Sequence, residues 1–445
     1  MIALAAITGC VTDGRPVRGE PPPATSNNSG QSATELGLPE QFLLDIPLRR
    51  KPVPGWTHNA VDLGMRSGAG IRYSPIGNDE NRGIFLANSA REWWVFGVDV
   101  ADGSRLFEPV WLGPHDDAEA IMASACFLNG PTMAVCLRDD ADAQRRNHAW
   151  VIDTRTGRLV YDGATDLTWK RDVGDPYVEQ VGQYLVATVN GVGVYGVGQQ
   201  AELTWHVPGT GSMTFPLDDE LDVAAPVVAV QSRLREPDVV FSLADGTVVT
   251  PQLAPGESVQ RAVAYPGGFA AELRSGSSAT VGIAFFDNNG RARSRVVGAV
   301  QLRSGSDILP MVQTDTDDRV LTIAGKPLLE LSKSVLYPRT RLAGTTLLIS
   351  TDEEHRTWRQ FELGTGHEGA VCDREELGYG YIGSGEDVVV TSGSRSPAEG
   401  VDLATCETLW ALPGSTRTST TEVWRVHTTL VHRVGDRLSA LVAPG

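Results

Sequence analysis

The chain has 445 residues, 41% of them hydrophobic, which allows either one large all-β domain or two to three average ones. Its 38 Lys and Arg stand against 55 Asp and Glu, a formal net charge of −17, and that balance excludes general nucleic-acid affinity and a polybasic membrane patch. Only four of the basic residues are Lys; with abundant Ala, Gly and Val, this bias fits a high-GC bacterial genome of actinobacterial type.

The chain opens MIALAAITG, small and apolar, and Cys10 follows. Ile7-Thr8-Gly9-Cys10 resembles the bacterial lipobox, in which small side chains let a signal peptidase reach the bond before an acylated Cys. Residues 1–9 are therefore expected to be a shortened lipoprotein signal segment and Cys10 the lipidation site, although no Lys or Arg precedes it. An N-terminal strand with an incidental Cys is the alternative. No other run reaches about 18 apolar residues, so no membrane span is expected. Residues 11–40, rich in Pro, Gly, Ser, Thr and Asn, read as a disordered tether. Asp45 to Trp56 has three Pro and is expected to dock in extended form, making 10–55 a lipid-anchored tether and docking strand.

From Trp56 to the end, short runs of Val, Ile, Phe, Tyr and Trp alternate with turn residues, and no long stretch has helical apolar periodicity. Hairpin signals recur at Asp102-Gly103, Thr156-Gly157, Gly198-Gln199, Asp245-Gly246, Asn289-Gly290, Ala324-Gly325, Thr365-Gly366, Thr405-Cys406 and Gly435-Asp436. Most intervals suit propeller blades. In several hairpins an acidic residue precedes a bulky one by eight positions: Asp99 and Phe107, Asp153 and Tyr161, Asp402 and Trp410. The Asp can cap the turn's N–H groups, and the bulky residue then faces the next sheet.

These units resemble the D-x-x-T-G-x-x-x-W repeat of quinoprotein-like (PQQ-like) propellers. Asp402, Thr405 and Trp410 match, with Cys406 in place of Gly. Asp153, Thr156 and Gly157 match, with Tyr161 in place of Trp, and Asp99, Gly103 and Phe107 match in part. The resemblance implies a single all-β propeller over 56–445, and it spans both quinoprotein dehydrogenases and the scaffold lipoprotein of the outer-membrane barrel-assembly machine. The last hairpin interval is short, so the final strands are expected to complete a blade begun near residue 60. Eight blades are expected, with seven as the alternative because Ala324-Gly325 is a weak signal.

If Cys10 carries lipid, four Cys remain, and local pairing predicts disulfides Cys126–Cys136 and Cys372–Cys406. No C-x-x-C spacing favours zinc. Gly378, Gly380 and Gly383 form G-x-G-x-x-G, but CDREE precedes it and the segment that follows reads as strand where a helix is needed, so close backbone packing is expected rather than a dinucleotide site. The acidic clusters Asp218-Asp219-Glu220-Asp222 and Asp315-Asp317-Asp318 lack EF-hand spacing and read as solvated turn carboxylates. The eight His are scattered and read as structural. Arg291, Arg293 and Arg295 alternate, which places them on one strand face as a possible partner-binding ridge or a charged outer strand.

No catalytic residue, metal or cofactor is assigned. The expected function is that of a lipid-anchored, extracytoplasmic cell-envelope lipoprotein that binds an envelope protein as a scaffold, without nucleic acid and with no small-molecule ligand assigned. The alternative is a propeller enzyme, quinoprotein-like or hydrolytic, with its site in the central channel.

Overall fold

The computed structural model describes residues 31–445 except 67–69, 90–91, 115–123, 139–146, 172–173, 175, 215–221, 233–235, 277–279, 299–300, 304–307, 333–338, 353 and 417–418. Among the described residues the secondary structure is strands, with two one-turn helices, Ala33–Leu36 and Glu376–Tyr379. Each sheet is antiparallel, and all but the closing one are meanders of consecutive strands. In chain order the blades span 72–114, 124–165, 177–208, 213–242, 257–296, 301–332, 340–373 and 381–411, and we number them one to eight. The ninth joins Thr421–Val426, Thr429–Val434 and Arg437–Val442 to the N-terminal strand Val53–Asn59.

A single all-β propeller is thus what the sequence folds into. Eight of its sheets have four strands, the number expected, and a ninth, blade four, adds a three-stranded sheet. Each of the nine hairpin signals belongs to its own sheet. The weak one at Ala324-Gly325 is a true turn, in which the Gly325 N–H donates to the Thr322 carbonyl at 2.8 Å. The final strands do close onto the N-terminal strand, but that strand supplies only the outer position of blade nine, and the blade beginning at Arg72 is complete without it. Blade four lacks a regular fourth strand because its returning segment makes one bridge, Phe241 to Val248, and then meets Pro251, which has no N–H to donate.

Nine separate apolar clusters hold the ring, one at each junction. Blades one and two share a cluster containing Ile84, Trp93, Phe107, Leu128, Cys136 and Trp150. The ring closes through Tyr73, Phe85, Phe96, Val426, Val431 and Leu438, between blades one and nine. Middle strands serve two junctions at once. In Met133–Arg138, Ala134 and Cys136 face blade one while Val135 and Leu137 face blade three. This explains why the strands read as continuous apolar runs: side chains alternate between faces, and both faces are covered.

The recurrent turn is built as its residues dictate. The Asp99, Asp153 and Asp402 carboxylates accept from the N–H two residues on, at 3.0, 2.9 and 2.8 Å. The carbonyls of the same residues accept from Gly103, Gly157 and Cys406, each 2.8 Å away. That fifth position is left-handed, with φ of 81° and 69° at the two glycines and 59° at Cys406. A Cβ on Gly157 would come 2.6 Å from the Phe107 ring, and one on Gly103 would come 2.6 Å from Trp56. An aromatic from the outer side of one blade, Phe107 or Trp56, therefore lies on the next blade's turn, where glycine supplies both the backbone angle and the room.

Residues 31–40, read from composition as tether, are instead packed on the ring. Ser32 and Glu35 form a capping box around Ala33–Leu36, and Leu36 is buried in the cluster between blades six and seven. Further on, the Leu48 carbonyl accepts from Trp410 Nε1 at 2.6 Å, and Arg49 bridges Asp387 and Asp402. Residues 1–30, including Cys10, lie outside the described residues.

Both disulfides are present. Cys126 and Cys136 are directly paired across the first two strands of blade two. Cys372–Cys406 ties blade seven to blade eight, and Gln360 Nε2 donates to the Leu403 carbonyl beside it at 2.8 Å. In the chain-entropy picture the longer loop stabilises more, about 3–4 kcal/mol against roughly 2–3 for the shorter. The Cys372→Ser/Cys406→Ser variant should therefore unfold at lower urea than Cys126→Ser/Cys136→Ser, and equilibrium denaturation at pH 7 checks this order.

Candidate functional site: the plugged axis

The first strands of blades nine, one, two and three, Thr421–Val426, Arg72–Asp79, Ser124–Leu128 and Tyr177–Val181, line one cavity of about 1340 Å³. Its remaining wall comes from two segments that leave their own places in sequence to reach it. One is Glu40 to Phe42. The other is Val223 to Pro226, in the long connection between the first two strands of blade four. They pair with each other: Gln41 bridges Val223, Phe42 N–H donates to the Asp222 carbonyl at 2.7 Å, and Ala224 N–H donates to Glu40 at 3.1 Å.

The far side of this plug is fixed to blades seven, eight and nine. Gln41 Nε2 donates to the Gly344 carbonyl, Leu44 N–H to Ser384 and Asp45 N–H to Thr428, all within 3.0 Å. The central polar contact is Asp222, 2% exposed. Arg425 Nη1 and Ser384 Oγ each lie 2.5 Å from its carboxylate, and the Tyr381 hydroxyl donates to it as well. The Arg341 guanidinium sits 4.8 Å from the centre of the Tyr381 ring. Burial raises the proton affinity of the Asp222 carboxyl, with the Arg425 charge the foremost opposing influence. Burial and the Asp222 charge push the Tyr381 hydroxyl well above its ordinary range, so it stays a donor.

The site residues named from sequence fall apart in space, and the one that matters was read as solvated. Asp222 is a buried strut; Asp218, Asp219 and Glu220 lie outside the described residues. Asp318 is likewise buried, 3.4 Å from Arg303 Nη2, while Asp317 takes the Thr314 hydroxyl and Arg319. No group of three His, Cys, Asp or Glu able to hold a metal occurs among the described residues. The GYGYIG glycines straddle a helical turn that leads into a strand, the reverse of a dinucleotide site. A Cβ on Gly383 would lie 3.0 Å from Arg425 and 3.4 Å from Leu44 and Asp222, so this glycine lets the plug approach.

Arg293 and Arg295 share the outer strand Ala292–Val296 of blade five, and Arg291 precedes it. The ridge is largely neutralised within the blade, by Asp287 at 3.5 Å from Arg293 and Glu257 at 2.5 Å from Arg295. His427 lies in the turn before the strand that carries His432. Burial lowers the His432 pKa, and neither ring nitrogen has a hydrogen-bond partner among the described residues. The plug itself left a trace in sequence only as a long, acidic connection in blade four.

Several comparisons bear on this architecture. A family model described as a conjugation-associated 9-bladed beta-propeller domain matches residues 28–444. An uncharacterized protein of Mycolicibacterium smegmatis (strain MKD8) is 36% identical over 453 residues, covering 95% of this chain and 91% of that protein. Among solved structures, BamB from Moraxella catarrhalis aligns at 12% identity with a TM-score of 0.34, over 88% of this chain and 100% of that one. The computationally designed Ika8 protein aligns at 12% identity with a TM-score of 0.36, over 69% and 93%.

Two outcomes follow from the buried groups. Asp222→Ala removes the buried carboxylate that Arg425, Ser384 and Tyr381 share and should cost about 3–5 kcal/mol. Asp222→Asn, which keeps an acceptor for Tyr381 and Ser384, should cost less; urea denaturation of both variants at pH 7 tests this order. His432 is held neutral, so its contribution to stability is full above its unfolded pKa of about 6.5 and is lost as pH falls below it. His432→Leu should flatten the stability profile between about pH 7 and pH 5 relative to the parent, read as the midpoint of urea unfolding.

Proposed function

This chain belongs to the family of conjugation-associated nine-bladed β-propeller domains, and we propose that it is a non-catalytic interaction module serving conjugation at the cell envelope. The observation that carries this reading is the plugged axis. Polar groups that converge there, Asp222, Tyr381, Ser384 and Arg425, are engaged with one another as struts. What the molecule offers a partner is a rigid ring, its loops and one open cavity. Fold alone does not fix function, and the reading rests on how these residues are used.

The proposal includes the lipoprotein character and the likeness to quinoprotein-like repeats. Its supports are the lipobox-like Ile7-Thr8-Gly9-Cys10, the repeat matches at Asp153 and Asp402, and two disulfides, which suit an oxidising, extracytoplasmic compartment. A lipid on Cys10 would hold the ring at the outer face of the cell membrane and raise its effective concentration near a membrane-bound partner. In-cell crosslinking followed by mass spectrometry tests this. Wild type should capture an envelope protein, and Cys10→Ser should weaken the capture and release the protein into the medium while the ring stays folded. Absence of any protein partner, with full activity of the unanchored form, would favour the extracytoplasmic enzyme instead.

A further inference from the structure

We propose that the axial cavity is the docking site for a cationic segment of the partner polypeptide, bearing Arg or Lys. This deepens the interaction-module reading and rests on it. The first argument is size. At about 1340 Å³ the cavity exceeds the roughly 300–1,000 Å³ of common small-molecule pockets and suits several residues of an inserted chain.

The second argument is charge. Among the described residues four carboxylates line the cavity, those of Glu40, Asp79, Glu80 and Glu179, against one guanidinium, Arg425. Arg425 is already held by Asp222 and so offers nothing to an anion. Glu179 is occupied by Arg171. Glu40, Asp79 and Glu80 have no side-chain partner among the described residues. They stand on two separate elements that the fold brings to one cavity, the plug and the end of the first strand of blade one. Grouped carboxylates with low-dielectric walls concentrate cations.

The third argument is that the wall already binds cations in this manner. Arg171 places its guanidinium 5.1 Å from the centre of the Tyr177 ring while pairing with Glu179, and Lys170 Nζ lies 5.6 Å from the centre of the Trp169 ring. Tyr177, Glu179 and Trp169 are all cavity residues. Rings and carboxylates are the pair of features that recognises a guanidinium or ammonium. The rest of the wall repeats those ingredients, with the rings of Phe42 and Phe127 and the carboxylates of Glu40, Asp79 and Glu80. A cationic side chain from a partner would meet the set that the chain's own Arg171 meets in blade three.

The test uses the full chain and two fluorescein-labelled probes, octa-arginine and octa-glutamate, followed by anisotropy at low and moderate salt. The arginine peptide should bind and the glutamate peptide should not. Glu40→Gln/Asp79→Asn/Glu80→Gln should weaken binding by about tenfold, the scale expected for three partly exposed carboxylates together. Asp162→Asn/Glu330→Gln/Glu368→Gln makes the same charge change on outer strands and should leave affinity within about twofold. A benzophenone-bearing arginine peptide should crosslink within 75–80 or 125–128. Equal losses in the two triple variants, unchanged binding in the cavity variant, or no binding to octa-arginine would overturn the proposal. Failure of the wider reading looks different. If octa-arginine binds the cavity but wild-type cells yield no protein partner, it is the interaction-module role that falls. If cells yield a partner that the cavity variant captures equally well, only the cavity assignment falls.

Discussion

Each blade of this ring must be covered on two faces, and nearly everything else follows from that requirement. A single blade has two apolar faces and no means of covering either. The side chains of Phe269 and Ala271 turn to blade four, and Ala270 between them turns to blade six. Stability is therefore a property of junctions, each with its own cluster of large, fully buried side chains. Such an array must close, because an open ring would leave the two facing apolar surfaces of one junction in water. Closure is achieved by giving blade nine its outer strand from the other end of the chain, with Val53 paired to Val442 and Asn59 to Arg437. The closing junction is then as well packed as the rest, with Phe85 and Phe96 stacked at 5.4 Å and Tyr73 set edge-on to Phe96.

A ring of many blades is wide at its axis, and its inner strands cannot all touch across it. The chain answers with two excursions, from the N-terminus and from blade four, that pair with each other and fill one side. The buried charge of Asp222 is tolerable there because three donors converge on it. Removing the donors singly would leave polar groups stranded in a dry site, which is costlier than never placing them there. The plug is one-sided, and this shapes the remaining space: blades seven to nine grip it, while blades nine to three are left lining the cavity.

Much of this was legible in the residues. The hairpin turns, the Asp caps and the local cysteine pairs depend on short-range chemistry, and Asp99, Asp153 and Asp402 cap their turns as their position before the turn implies. Each hairpin signal marked one sheet, and the expected union of the final strands with a strand begun near residue 60 is how the ring closes. One residue type at one spacing cannot say which sheet a strand joins. The plug was illegible for a similar reason. Asp222 sits among acidic residues in a polar loop, and local sequence makes it a surface carboxylate. Its burial depends on Tyr381, Ser384 and Arg425, roughly 160 to 200 positions away, which no periodicity connects to it. Ser32 to Leu36 erred in the opposite direction: loop-like composition concealed a capping box and one well-placed leucine.

The N-terminal segment has three structural duties within about 25 residues, and this couples them. Leu36 fills a junction, Glu40 to Phe42 wall the cavity, and Val53–Asn59 closes the ring. Between the last two, Leu48 and Arg49 fasten the segment across blade eight. Any attachment of the chain upstream of residue 31 would therefore meet a firmly seated body before reaching the closing strand. Tension from that side would act first on Leu36 and the Gly344 and Ser384 contacts, not on the strand that keeps the ring shut. The same contacts set the position of Glu40 and Phe42 in the cavity wall. Attachment, cavity shape and ring closure are thus graded along one short stretch of chain, with the closing strand the most sheltered of the three.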